Sequence, residues 1–406
     1  MKWQRLFGIV IPAATIAVVT YPLVAQQRPS GPVARYDMRA GTVSGASAMG
    51  AGGAMGMMFG GSGGNNVQHE LYLRLGSSNG PAKGAPKADH FMPPNAKLGK
   101  SVALVTPGSE PPPDDLPQKP KGRLLIFWGC GEHAGKGQPV VIDFGKVAAG
   151  QVPAGLWNST VIRDWGPTIS NSRTFGRWPA QDGKFVKSNS ALPGAHRIVG
   201  NYSPEIDFTL TKDFMAPLSV KTTANASGST LANWTGIADA TGYLAGVFGG
   251  KMGPDNEMGD MVMWTSSASR QFGNGLADWI SPSQVAQLVS QKVVMSPSTT
   301  SCVVPVEVNK ATPDFRVGTL TAFGPEENFS YPPRPADPKA AWALEWTARV
   351  RHRSMTSWMQ MQGMSMGGAG AAQGESQGQA QGQQNCKRKG GLGGMLGGVL
   401  AGGSGC

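Results

Sequence analysis

The residues of this chain best placed for chemistry are Trp128-Gly129-Cys130-Gly131-Glu132-His133, which gather a thiol, a carboxylate and an imidazole into one short stretch. A cysteine becomes a nucleophile when a base activates it, and histidine is the usual base. The cluster would make a hydrolase site at Cys130 and His133, but no second histidine or asparagine motif completes it. The plainer reading is a strand-end turn with a structural cysteine. Neither a Gly-x-Ser-x-Gly elbow nor a His-Glu-x-x-His pair occurs. His69, His90, His133, His196 and His352 stand singly, so a metal site would have to be assembled wholly by the fold. Asp164, Asp182, Glu205 and Asp207 supply carboxylates of the kind a glycosidase pairs, yet nothing in their spacing separates them from ordinary turn and strand residues.

Two further sets have a chemical meaning. Met355, Met359, Met361, Met364 and Met366 follow His352, and Met49, Met55, Met57 and Met58 form a second group. Thioethers suit monovalent copper, so flexible Met-rich arms give one reading as a periplasmic copper-binding protein. The plain alternative is Met in place of Leu in a low-complexity arm. Gly390, Gly394, Gly398 and Gly402 recur every fourth residue behind Lys387-Arg388-Lys389, a spacing that lets helices approach closely in a membrane or in self-association. That stretch is too short to span a bilayer. Asn158, Asn225, Asn233 and Asn328 begin Asn-x-Ser/Thr triplets, which matter only in a eukaryotic secretory pathway.

The elements that would carry these residues read as strands. Leu71, Leu73 and Leu75 alternate with polar neighbours, and residues 123–128 (RLLIFW), 139–144 (PVVIDF) and 204–210 (PEIDFTL) are short apolar or alternating runs bounded by turns. Residues 230–234, 240–247, 260–264, 292–295, 302–308, 318–323 and 341–353 continue the pattern. In the last of these Trp342, Leu344, Trp346 and Ala348 point one way, towards a core. Glu345, Thr347, Arg349 and Arg351 point the other, towards solvent or an anionic partner. One helix is predicted in residues 278–291, with Ser281 as cap, Pro282 in the first turn and Val285, Leu288 and Val289 on one face.

Trp234, followed by Ala240, Gly242, Tyr243 and Val247, resembles the passage between the second and third strands of fibronectin type III domains over residues 216–308. The resemblance implies an immunoglobulin-like sandwich there and no particular function. The helical insert and the Cys302 strand depart from that family. Residues 71–77 also resemble 243–249, and 124–128 resemble 261–264, a hint of internal duplication.

The expected organisation is all-β: a signal peptide over 1–25, a disordered Gly/Met-rich linker over 26–66, a β-sandwich-like domain over 67–214, an immunoglobulin-like domain over 215–358 and a disordered tail over 359–406. Lys2 and Arg5 before an apolar run to Val19, with small Ala25 closing the leader, predict export to the periplasm, the outer surface or the medium. Left uncleaved, residues 6–25 would anchor the chain in the inner membrane. Among 406 residues, 58 Gly and 31 Pro are too many for one uniformly packed globule, which is why the two Gly-rich ends read as unpacked.

The net charge of +11 favours anionic partners at a cell envelope or membrane, whereas no basic groove with interleaved aromatics speaks for nucleic acid. No cofactor is implied. Cys130, Cys302, Cys386 and Cys406 allow three pairings in an oxidising compartment, or a free buried thiol at Cys130. The sequence thus points to an exported envelope protein that binds a surface or assembles there without catalysis.

Overall fold

A computed structural model describes residues 31–49, 66–108, 122–151, 162, 164, 166–181, 183–253, 258–272, 275–276, 279–337 and 339–361. The chain is all-β, with three sheets. Ten strands make the main one. In spatial order nine of them are β6 (Val140–Asp143), β5 (Arg123–Trp128), β14 (Met258–Thr265), β13 (Gly242–Met252), β16 (Phe315–Tyr331), β17 (Trp346–Met361), β1 (Ala34–Gly45), β2 (Val67–Ser77) and β7 (Thr174–Trp178). The tenth, β8 (Phe185–Val186), pairs with β2 beside β7. A four-stranded sheet runs β10 (Ile206–Leu210), β9 (Gly194–Gly200), β3 (Ala88–Phe91), β4 (Val102–Ala103), and a three-stranded sheet runs β11 (Val220–Ala224), β12 (Thr230–Trp234), β15 (Ser301–Val304).

Both small sheets lie on one face of the large one. Tyr36, Met38 and Ala40 of β1, Leu71, Leu73 and Leu75 of β2, and Trp346, Ala348 and Val350 of β17 pack against Ile198, Ile206 and Phe208 of the four-stranded sheet. Further along, Tyr243, Ala245, Val247, Val262, Trp264, Leu320 and Ala322 pack against Trp234, Cys302 and Val304 of the three-stranded one. Each fully buried Leu, Ile, Val or Phe in these cores contributes about 1.5–3 kcal/mol relative to exposure. At the seam between the two cores the same face of the main sheet is polar. Thr42 donates to the Met215 carbonyl at 2.6 Å and Ser44 to the Leu218 carbonyl at 2.6 Å, so the segment joining β10 to β11 is tied down there.

Three short helices complete the described chain: α1 (Phe144–Ala148), α2 (Pro282–Ser290) and α3 (Val306–Ala311). The predicted helix is α2, where Ser281 and Gln284 form a reciprocal capping box and Pro282 opens the first turn. No helix among the described residues is long and apolar enough to cross a membrane.

Several expectations need correction. Residues 34–45 are not linker: β1 lies inside the main sheet, parallel to β17 and antiparallel to β2. Its alanines and glycines hide a strand because neighbouring strands supply the bulk. The boundary at 214/215 does not divide the main sheet, since β5 pairs in parallel with β14. Residues 302–308 are strand only as far as Val304; Pro305 then caps α3. Strand β17 runs on to Met361, so the tail does not begin at 359. Residues 341–344 precede β17, so of the four residues expected to face the core only Trp346 and Ala348 lie on the strand and are buried.

Candidate functional site

Strand alternation puts Asp37, Arg39 and Gly41 of β1 on the face opposite the two small sheets, and the β1–β17 register sets them beside Arg349, Arg351 and Arg353. Three arginines on one strand face repel one another unless anions interleave. Asp37 supplies the first. Its Oδ2 accepts from Arg39 Nε at 2.9 Å and its Oδ1 from Arg349 Nε at 2.9 Å, while Arg351 Nη2 lies 3.0 Å from both oxygens. Asp164 crosses from a loop to bind Arg39, Arg349 (2.8 Å) and Arg351 (3.2 Å). A separate pair closes the row: Arg353 donates to Glu70 Oε1 from Nε at 2.9 Å and from Nη2 at 2.7 Å, with its guanidinium 4.2 Å from the centre of the Trp279 ring. Arg351 also donates to the Trp279 carbonyl.

Burial alone would raise the Asp37 carboxyl, but Arg39, Arg351 and Arg349 outweigh it and hold it below the usual carboxylate range. Asp164 shows the same balance and is likewise held well below that range. Among the described residues three guanidiniums, Arg39, Arg349 and Arg351, share two carboxylates, Asp37 and Asp164. This corrects the expectation that the Arg face meets solvent. Arg351 and Arg353 are buried, whereas the Arg349 side chain is 22% exposed.

Arg349 is where the network opens. It borders a shallow cleft of about 310 Å3 on β16, β17 and β1, together with Arg35, Asp37, Asn328, Ser330, Thr347 and Trp342. One wall is the Gly166-Pro167 loop, fixed by Arg35 Nη2 donating to the Asn171 carbonyl (2.9 Å) and Oδ1 (2.8 Å). The other is Trp342, whose indole donates to the Pro332 carbonyl at 3.0 Å while Arg334 lies 5.8 Å from its ring. A second depression, at Phe91, His196, Arg197 and Asp207, has its charge neutralised where Arg197 pairs with Glu205.

A buried hydrogen-bonded chain crosses between the main and four-stranded sheets. The Leu192 carbonyl only accepts, so His196 Nε2 donates to it (2.8 Å), leaving Nδ1 to accept from His90 Nε2 (2.9 Å) and His90 Nδ1 to accept from the Tyr36 hydroxyl (2.6 Å). One carbonyl therefore fixes two tautomers. Burial pushes His90 well below the ordinary histidine range, with His196 adding to the effect, and lowers His196 as well.

The sequence candidates fall as follows. Cys130 is disulfide-bonded to Cys302, so the thiol required by a hydrolase at Cys130 is not present, and His133 instead faces Glu307 at 3.0 Å on the surface. Glu205 and Asp207 sit on β10 and its approach, away from Asp164, and Asp182 lies outside the described residues. Met355 is part of β17 and buried against Val43 and Ala48; Met359, four residues on, is about 13 Å further along an extended strand, too far to share one ion. Met361 is also in β17, while Met364, Met366, Cys386, Cys406, Gly390, Gly394, Gly398 and Gly402 lie outside the described residues, as do Met55, Met57, Met58 and the leader. Among the described residues no group of three or more His, Cys, Asp or Glu is placed to hold a metal ion.

Sequence reasoning missed Asp37, Glu70, Arg35, Asn328 and Trp342 as partners of one surface. The signal available was the Asp37-x-Arg39 alternation, the complement of Arg349-x-Arg351-x-Arg353. No family model, curated protein or solved structure matches the chain.

Proposed function

We propose that this chain is an exported, non-enzymatic protein of the cell envelope that binds an anionic surface component through the Arg349 cleft. The observation that carries the reading is the part-exposed Arg349 guanidinium, held in place by Asp37 and Asp164 and lining an open cleft together with Arg35. A buried array that fixes guanidiniums in place loses little entropy when an anion docks, so it is suited to binding. The net charge of +11 adds long-range attraction to an acidic surface. Export rests on the leader, and a disulfide between Cys130 and Cys302 suits an oxidising compartment. The immunoglobulin-like resemblance of residues 216–308 is compatible with a binding scaffold and adds no specificity.

The test is retention of the purified full chain on isolated envelope material at low and high salt. Retention that falls steeply with salt is expected. Absence of retention at low salt removes the reading.

A further inference from the structure

The cleft has a pattern more specific than positive charge. Along the cleft β17 and β1 are paired on both sides, while residues 326–331 of β16 pair with β17 alone, so recognition on the floor of β17 and β1 falls to side chains. The register arranges those side chains in two rows. Ser330, Thr347 and Arg35 lie across from one another, and Asn328, Arg349 and Asp37 form the next row two residues along. Neighbours within a row are about 5 Å apart and the rows about 7 Å apart. One row thus carries two hydroxyls and a guanidinium. The other carries an amide, a guanidinium and the carboxylate that holds it.

We infer that this cleft binds a single acidic pyranose, a hexuronate unit of an envelope polysaccharide, with its carboxylate on Arg349, its hydroxyls on Ser330, Thr347 and Asn328, and its ring against Trp342. The inference rests on the proposed binding function and names the ligand class of the same site. Arg349 spends Nε and Nη2 on Asp37 and Asp164, and its Nη1, which makes no bond among the described residues, is left to donate a charge-assisted hydrogen bond to a ligand carboxylate. The Ser330 and Thr347 hydroxyls make no side-chain hydrogen bonds among the described residues, and the Asn328 amide uses its nitrogen on Glu326 (2.8 Å), which leaves Oδ1 to accept. A bare phosphate would use the guanidiniums and waste this hydroxyl-bonding row. An apolar ligand would strand the polar floor. The volume of about 310 Å3 is at the small end for ligand sites and suits one ring rather than a longer segment.

The experiment is calorimetric titration of the full chain with a galacturonic acid trisaccharide, its methyl ester, a neutral trisaccharide and inorganic phosphate. The acid is expected to bind, with the ester and the neutral sugar weaker by about tenfold or more. Thr347→Val is expected to weaken binding about fivefold with the melting temperature of the native chain, and Trp342→Ala about tenfold or more with the ionic network, which it does not touch, left in place. Equal binding of acid and ester, equal competition by phosphate, or acid binding unchanged in both variants overturns the inference. If envelope material retains the protein in a salt-dependent way and the acid trisaccharide neither binds nor elutes it, the ligand class is wrong and the binding function stands. If nothing is retained, the binding function itself fails.

Discussion

Arg351 Nη2 lies 3.0 Å from each carboxylate oxygen of Asp37, with both side chains almost fully buried in the middle of a ten-stranded sheet. Arg39 and Arg349 share that same carboxylate. Asp37→Asn therefore removes the carboxylate that all three guanidiniums share and leaves Asp164 as the other anion of the network among the described residues. Removing one partner of a buried ion pair costs about 3–5 kcal/mol, and the variant is expected to lose stability on that scale in denaturant unfolding. Asp260→Asn removes the partner of exposed Arg123 and is expected to leave the midpoint nearly unmoved. Similar midpoints for the two variants would show that the Asp37 network is not a structural centre.

Four of the five histidines, His69, His90, His196 and His352, are buried, and burial lowers all four below the ordinary range. The native state then binds fewer protons than the unfolded state. The stability these groups confer is complete above the unfolded pKa of about 6.5 and is lost as pH falls below it, at up to about 1.4 kcal/mol per pH unit for each histidine that stays neutral. Asp37 and Asp164, whose carboxyls are depressed, add a second loss below about pH 4. Unfolding measured from pH 8 to pH 5 is expected to show the first phase. In His90→Phe the slope should fall by about one proton, although the variant starts about 1–3 kcal/mol less stable because Tyr36 and His196 lose their partner. An unchanged slope would mean that His90 accepts a proton in the folded chain.

The Cys130–Cys302 bridge closes a sequence separation of 172 residues and ties the turn after β5 to β15. The same turn is already bonded there through Gly131 N to the Val303 carbonyl (2.9 Å) and Val306 N to the Glu132 carbonyl (3.0 Å). Restricting so long a loop in the unfolded chain stabilises the fold by up to about 5 kcal/mol. The Cys130→Ser/Cys302→Ser double variant is expected to melt well below the native chain, and the native chain should show no thiol at either position in peptide mapping after alkylation. A double variant with native stability would place the constraint elsewhere.

Local pattern carried much of the fold. The alternation of Leu71, Leu73 and Leu75 and the runs 123–128 and 230–234 correspond to β2, β5 and β12, and Ser281-Pro282 marked the start of α2. What local pattern lacks is the partner. Nothing near Arg123 says that β5 pairs with β14, and nothing near Arg349 says that Asp37, more than three hundred positions earlier, neutralises it. The candidate site suffered most, because its strands β1, β16 and β17 meet only through long-range pairing. Arginine on a strand face reads as solvent-exposed until the anions that bury it are found. Pro305 also split a run of seven apolar-rich residues that alternation alone assigns to one strand, since a proline starts a helix more readily than it sits inside a sheet.

Gly41 is the residue at which composition misled most directly, and it yields the sharpest test. It opens a Gly-rich stretch of the sequence, yet in β1 it pairs with Arg353 on one side and Glu70 on the other. The Glu70 side chain lies across it to reach Arg353, so a Cβ at position 41 would stand 2.3 Å from Glu70 Oε1. Alanine cannot fit unless Glu70 moves, and moving Glu70 breaks its ion pair with the almost fully buried Arg353 guanidinium. Gly41→Ala is therefore expected to destabilise the chain by about 3 kcal/mol, the scale of a broken buried ion pair rather than of glycine entropy, which alone would favour alanine. A double variant, Gly41→Ala with Glu70→Ala, should cost less than the sum of the two single changes, because the second substitution removes the clash created by the first. Strict additivity of the two in denaturant unfolding would mean that Glu70 does not occupy the space above Gly41.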